Sequence, residues 1–425
     1  MKTRYKIIQS KASPFGGLYV LSEFMHQVKF DQIFDDVFGH YRRVRNYHPS
    51  ENVAVQIASI VAGGERLYDT QRFVNDDVIP GLFSHGAIPE DTTIRDDMVH
   101  IGSMDQQRQE LLFRLNEHHF HQLGYRSITI DIDGTSLPVD GHQEGAKKGY
   151  CPSEPGSRCF QSISAICDET ETTMAEETHF GNTHCSNGII PFCQTLLDRF
   201  SSQMDTIHTR LDAGFYSDDL LKLFESYNNV YYTVSVPQHE WLQTKVQNLH
   251  YKSYHDSDRE YACFSYCEGL DHQVRYYHVE RSKKQPDNQL HLFETDQYHY
   301  RVIVTNQGHR QSHTAFRHYN GRGRDEKQLG ELKNEYALGK MVSGDFAVTK
   351  ACFWISYVTF TLMGMLRKVA FRLEMATYRL RRLRYILFVN LACFTYHARS
   401  RVLSIVEPII GAPRLKFLLQ RIWAY

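Results

Sequence analysis

Several features that would narrow the class of this chain at once are missing from it. Its 425 residues include nine cysteines, an odd number, and they are scattered. Cys151, Cys159, Cys167, Cys185 and Cys193 show no zinc-finger spacing, and Cys263-x-x-x-Cys267 has no matching second pair nearby. Free thiols in a reducing cytosol are therefore expected, rather than a disulfide framework or a zinc site. Net charge is equally silent: 48 Lys and Arg stand against 49 Asp and Glu, a formal balance of -1. The first 30 residues lack the apolar core and small-residue cleavage site of a signal peptide. The apolar stretch Ala351–Leu366 is interrupted by Ser356, Thr359 and Thr361. It also falls short of the ~20 residues that a membrane span needs, so a buried helix and no membrane partner are expected. No internal repeat or low-complexity tract is visible.

What is present fits a soluble globular chain, with 42% hydrophobic and 23% charged residues, long enough for two or three domains. Charge is unevenly spread. From Met341 to Tyr425 there are 13 Lys/Arg against 3 Asp/Glu, which marks a local surface for a polyanion.

The texture changes along the chain. Residues 1–125 read as helical, with Ser50 capping a helix that carries Val53, Ile57, Ile60 and Val61, and Gly63-Gly64 stopping it. Thr92-Thr93 caps a further short helix, and Ser103-Met-Asp-Gln106 fits a capping box ahead of Leu111, Leu112 and Leu115. This region suits DNA binding or dimerisation, and plain packing equally. From Ser127 the period becomes two. Ser127–Asp133, Cys159–Cys167 and Thr172–Phe180 read as strands, Pro191–Gln203 as a helix, and Thr206–Leu211 as a strand. A helix capped by Ser217 and the strand Val230–Val236 follow. The order β-β-β-α-β-α-β over 126–236 is that of a ribonuclease H-like fold. Residues 237–305 read as a β-rich insertion without clear helices, with strands at Tyr261–Tyr266, Gln273–Val279 and Tyr298–Val304. Residues 306–345 return to a helical core segment, and 346–425 read as a basic helical region broken by Pro408 and Pro413. The expected class is α/β: a ribonuclease H-like core interrupted by a β-rich insertion, with helical terminal regions.

Three acids stand out by context. Asp133 ends the first strand, Asp212 ends the fourth, and Glu326 lies on the late helix. Strand ends of an open sheet present side chains at one rim, and a helix across that rim can add a third carboxylate. Such hard oxygen ligands suit Mg²⁺ or Mn²⁺, and a pair of ions can act on a phosphodiester. Singly, each acid has a plainer role. Asp131 and Asp133 suit a turn before Gly134, Asp212 suits a turn before Ala-Gly, and Glu326 suits a solvated ion pair. Asp131 also rivals Asp133, since it points to the same sheet face. Glu326 belongs to the run Tyr319-x-x-Arg322-x-x-x-Glu326-x-x-x-x-x-x-Lys333. On one helix these four side chains share an arc of roughly 60°. Gly321 and Gly323, however, suggest a helix start only near Arg324.

With these motifs the chain resembles the DDE transposases of bacterial insertion sequences, the transposase DDE domain group 1 subclass with a Y-(2)-R-(3)-E-(6)-K signature. Gly141-His-Gln-Glu-Gly-Ala-Lys-Lys-Gly-Tyr150, Gly181-Asn-Thr-His184 and Asp212-Ala-Gly-Phe-Tyr-Ser217 carry the resemblance further. It runs from about residue 20 to the end. The resemblance implies a metal-binding catalytic triad of Asp133, Asp212 and Glu326, with two Mg²⁺ or Mn²⁺ ions. It implies contacts of Tyr319, Arg322 and Lys333 with DNA near the cleaved end. The partners it implies are double-stranded DNA, as terminal inverted repeats and as target, and a second copy of the chain on that DNA. The setting is the bacterial cytoplasm, at the nucleoid. A metal-dependent nuclease of the same fold and an inactive DNA-binding relic are the alternatives.

Other basic residues suit phosphate contact. Gln307–Lys333 carries six Lys/Arg. Lys147 and Lys148 follow the first strand, and Lys368, Arg372, Arg379 and Arg382 fall on one helical face. A solvated outer face is the plainer role of each set.

Overall fold

Strand β1 (Ser127–Val139) organises the molecule: Ile128, Ile130 and Ile132 are fully buried on one face, and Thr129, Asp131 and Asp133 alternate onto the other. The computed structural model describes residues 12–39, 41–44, 46–184, 186–254, 258–267, 274–283, 298–397 and 400–425. Cys185 and Gln273, the expected start of a strand, lie outside them.

The other members of the main sheet are β2 (Lys147–Lys148), β3 (Arg158–Cys167), β4 (Thr172–Phe180), β5 (Thr206–Leu211) and β6 (Val230–Ser235). They are followed by β7 (Lys252–Ser253), β8 (Arg259–Cys267), β9 (Val274–Lys283) and β10 (Tyr298–Thr305). The spatial order is β2-β3-β1-β5-β6-β10-β9-β8-β7, with β4 also paired to β3. β3 runs antiparallel to β1 and β4, whereas β5 lies parallel to β1 and to β6. Parallel neighbours need crossovers, and helices supply both. α7 (Ile189–Phe200) leads into β5, and α8 (Asp218–Glu225) joins β5 to β6. Phe192, Leu196, Phe200, Leu220 and Phe224 of these helices share one buried cluster with the β1 isoleucines. Ser217 caps α8 as expected, its Oγ accepting from the Leu220 N–H at 3.3 Å.

The chain after 237 does not form a separate sheet. β10 pairs antiparallel with β6 and extends the sheet outward. A helix, α9 (Glu240–Gln247), was not expected in this stretch, yet Leu242 and Val246, spaced i, i+4, are buried and hold it down.

The opposite face is covered by helices. Those of the N-terminal region are α1 (Tyr19–Gln27), α2 (Phe30–Phe38), α3 (Pro49–Val61), α4 (Ile79–Phe83), α5 (Asp91–Ser103) and α6 (Asp105–Leu123). α10 (Ser312–Asn320), α11 (Gly323–Glu335) and α12 (Phe346–Ala370) follow the sheet. α12 is long and apolar enough to cross a membrane by length and composition alone. Its side chains are buried against α3, α5 and β4 instead, as the interrupted apolar run led us to expect.

Three N-terminal signals act differently from the expectation. His48 caps α3, its N–H donating to Glu51 at 2.9 Å, and Ser50 is buried inside the helix. Thr92 and Thr93 lie in the first turn of α5, after its cap at Glu90. Ser103 ends α5 rather than opening a capping box, because Met104 is the junction with α6. The C-terminal region is also not all helical. α12 stops where Phe371 turns extended with its ring buried. Two short helices, α13 (Leu373–Ala376) and α14 (Leu380–Leu383), lead to a hairpin of β11 (Ala392–His397) and β12 (Ser400–Ile405), then α15 (Ala412–Trp423). Lys368, Arg372, Arg379 and Arg382 therefore do not lie on one helix.

Candidate active site

β1 and β5 end their partnership at the pair Ile132↔Leu211. The next residue on each strand is an aspartate, so Asp133 and Asp212 leave adjacent parallel strands side by side. β1 itself does not end at Asp133. It continues to Val139 against β3 alone, because β5 has turned away.

Each aspartate has one oxygen fixed by its own backbone. Asp133 Oδ1 accepts from the Gly134 N–H at 2.9 Å, and Asp212 Oδ1 from the Ala213 N–H at 2.7 Å. The second oxygens face the guanidinium of Arg322. Arg322 Nη1 lies 3.2 Å from Asp133 Oδ2, and Nη2 lies 3.9 Å from Asp212 Oδ2. Glu326, one turn further on, places Oε1 3.8 Å from Nη2. The structure thus brings the three expected acids together around one cation. Burial pushes the Asp133 carboxyl above its ordinary value; Arg322 and the Gly134 N–H act against that, and Asp212 and Glu326 reinforce it.

A second layer of charge lies one pleat deeper on the same face. Asp131 and Arg210 are register partners on β1 and β5. Arg210 donates from Nε and Nη2 to the two Asp131 oxygens, each at 2.6 Å. Nη2 also meets Asp168 at 3.1 Å, and Nη1 donates to the His318 carbonyl at 2.8 Å. Asp131, the rival first acid, is therefore buried in its own ion pair. Arg210 and Asp168 were not singled out from sequence. The legible signal was an acid and a base at equivalent places in two parallel strands.

Arg210 also shapes the junction that carries Arg322. A side-chain carbon on Gly321 would lie 2.2 Å from Arg210 Nη1, so a larger residue there would push the guanidinium out of its bonds to Asp131 and the His318 carbonyl. Gly321 and Arg322 keep right-handed helical angles. The bonds Arg322 N–H to Tyr319 O and Arg324 N–H to Gly321 O tighten the chain between α10 and α11. Tyr319 and Glu326 thus sit on two helices joined by a tight turn, with Arg322 at the junction.

The Tyr319 ring is only 5% exposed and packs with Ile303, Ala315 and Phe316. Arg322 lies 6.0 Å above it. Lys333, on α11, donates to the Ser136 carbonyl of β1 at 3.2 Å, and burial lowers the pKa of its ammonium. Lys147 and Lys148 are exposed on β2. Behind them the motif glycines meet backbone to backbone. A side-chain carbon on Gly181 would sit 1.9 Å from the Cys159 carbonyl, and one on Gly149 would sit 1.8 Å from the Gly181 carbonyl.

Among the described residues, no three acidic, histidine or cysteine side chains stand close enough to hold one metal ion as they are placed. The carboxylates meet on Arg322 instead. Chemically the set fits a hard divalent cation: three convergent oxygen donors, at least two with an oxygen aimed inward, already gathered by a positive group.

The family model of transposase DDE domain group 1 matches residues 10–424. No curated protein matches. Among solved structures, the piggyBac transposase synaptic complex with hairpin DNA is similar, with 11% identity and a TM-score of 0.46. The match covers 88% of this chain and 80% of that one.

Proposed function

The chain belongs to the transposase DDE domain group 1 family, and from that premise we propose that it is a DNA transposase acting through Asp133, Asp212 and Glu326. In this reading it binds the ends of its own element, cleaves there, and joins the freed 3′-hydroxyl to target DNA. The strands β4-β3-β1-β5-β6, with their two helical crossovers, are the ribonuclease H-like core. The strands after 237 are its insertion, grown onto the β6 edge. The observation that carries the proposal is the convergence of three carboxylates, from two strand ends and one helix, on the Arg322 guanidinium.

Asp133, Asp212 and Glu326 are the residues that would hold Mg²⁺ or Mn²⁺, in keeping with two ions. When bound, such ions activate the attacking oxygen and stabilise the departing one. The protein's own part is placement. Backbone N–H groups hold Asp133 and Asp212 by one oxygen, which leaves the other directed inward. Arg322 supplies the positive charge that the carboxylates need in the ion-free state. Its planar fork also suits a phosphate oxygen pair of bound DNA. Lys333 adds a second cation beside β1. Tyr319 contributes from below, as the buried ring on which Arg322 rests.

The test is Glu326→Gln with oligonucleotides of the element's end. The variant is expected to bind end DNA as the wild type does and to lose cleavage. Cleavage at the wild-type rate would remove Glu326 from the site. Pre-cut ends separate transfer from simple nuclease action: a joined product supports the transposase, and hydrolysis alone supports the nuclease.

A further inference from the structure

Lys368, Arg372 and Arg382 do not share a helix face, yet they meet at a cavity of about 1050 Å³ between the end of α12, the α13–α14 segment and α15. Lys368, Arg372, Arg382 and Arg414 line it, and Glu374 is the one acid among its lining residues. Two of these cations are mounted on aromatic rings. The Arg372 guanidinium lies 4.4 Å from the Phe417 ring centre, and that of Arg382 lies 3.9 Å from Tyr378. Stacking occupies the guanidinium face and leaves the in-plane N–H groups for an oxygen ligand. The floor is apolar, with Met375, Ile386 and Ile410.

The cavity wall is fastened to the helix that bears Glu326. Glu331 Oε1 accepts from Arg367 and from the Leu380 N–H, which ties α11 to α12 and α14. Glu331 follows Glu326 by five residues, about 7.5 Å along a helix axis.

We propose that this groove is a second DNA-binding surface, which grips the phosphate backbone of duplex DNA away from the cleaved bond. The ligand is an extended phosphate chain rather than a small molecule, because the cations are spread over the end of α12, the α13–α14 segment and α15. The apolar floor meets the sugar edges between phosphates. Rigid attachment to α11 couples the grip to the position of Glu326. The proposal rests on the transposase reading above.

The test is salt-dependent binding of a random-sequence 30-base-pair duplex, followed by fluorescence anisotropy. In the triple variant Arg372→Gln, Arg382→Gln, Arg414→Gln, the slope of log affinity against log salt is expected to shrink by about 2–3, near 0.9 per lost phosphate contact. Affinity at low salt is expected to fall about 10–100-fold. Arg414→Glu is a second variant that spares the fold, since it puts an acid in the first turn of α15, where the helix dipole favours it. It should remove about 1 from the slope. A wild type that binds duplex DNA, alongside variants with unchanged slope and affinity, overturns the groove alone. A wild type that binds no duplex at all overturns the transposase reading as well. Full loss of the difference on adding inorganic phosphate at constant ionic strength would identify a phosphate-ion site instead and also overturn the proposal.

Discussion

Two charged layers stand on one face of the same two strands, and they differ in every physical respect except residue type. In the deeper layer, Asp131 and Arg210 are buried, share two bonds of 2.6 Å, and are tied further to Asp168 and to the His318 carbonyl. In the outer layer, Asp133, Asp212 and Glu326 meet Arg322 at 3.2 to 3.9 Å, and Glu326 is 70% exposed. The deeper layer is closed around Asp131, both of whose oxygens accept from Arg210, while the neighbouring Asp168 keeps one buried oxygen, Oδ1, without a hydrogen bond among the described residues. The outer layer is open, with three anions sharing one loosely held cation. An aspartate two residues along a strand passes from scaffold to candidate site because the neighbouring strand ends between them.

The largest effect should come from breaking the closed layer. Arg210→Met leaves Asp131 buried without its partner. A loss of about 3–5 kcal/mol is expected on removing one member of a buried pair. Chemical denaturation measures it, and a loss below 1 kcal/mol would show that the layer is not structural.

Acid should act on the same layer next. His208 and His318 lie beside Arg210 and Arg310, and burial first, then those cations, holds them near pKa 4 and 3. His278 is similarly held near 4 by burial and by Arg310. All three are neutral in the folded chain at pH 7 and take up protons more readily once unfolded. Their contribution is complete above the unfolded value of about 6.5 and is lost progressively as pH falls toward 4. Thermal melts between pH 7.5 and 5 should therefore show a falling midpoint, and His208→Gln should flatten the fall. A midpoint insensitive to pH across that range would contradict the burial of these imidazoles.

The smallest effect on stability should come from the open layer. Arg322→Gln is expected to cost less than Arg210→Met, because two of its three carboxylate partners, Asp212 and Glu326, have exposed side chains and lie 3.8 to 3.9 Å away. It should instead strengthen divalent-ion binding several-fold, since the competing charge is gone. Titration calorimetry with Mn²⁺ reads this without any turnover. Equal affinity in variant and wild type would mean that Arg322 does not stand where the ion binds.

Much of this was legible in the chain. The strands from Ser127 to Val236 are marked by period-two alternation in the sequence, although β1 and β3 are buried on both faces over most of their length, because helices cover each side of the sheet. The acids were visible through their place after apolar runs. Other features were not. One continuous helix would place Tyr319 on a shared face with Arg322, Glu326 and Lys333, and Gly321 and Gly323 already argue against it; what the sequence does not show is that the ring is packed away beneath Arg322. Gly321 reads as a helix breaker, whereas its role is to admit Arg210. The hairpin 392–405 was hidden because short alternating segments compete poorly with a strongly helical surrounding.

By itself, then, the sequence determined the order of the main elements from Ser127 to Val236, the family, and which acids follow the apolar runs of β1 and β5, since periodicity and local spacing act along the chain. Tertiary structure alone decided which aspartate of the pair Asp131 and Asp133 is locked and which stays open. It also decided that Arg322 is the cation they share, and that scattered arginines of the last 60 or so residues surround one groove. Those outcomes depend on where a neighbouring strand stops and which distant side chain reaches in, and neither is written in local spacing.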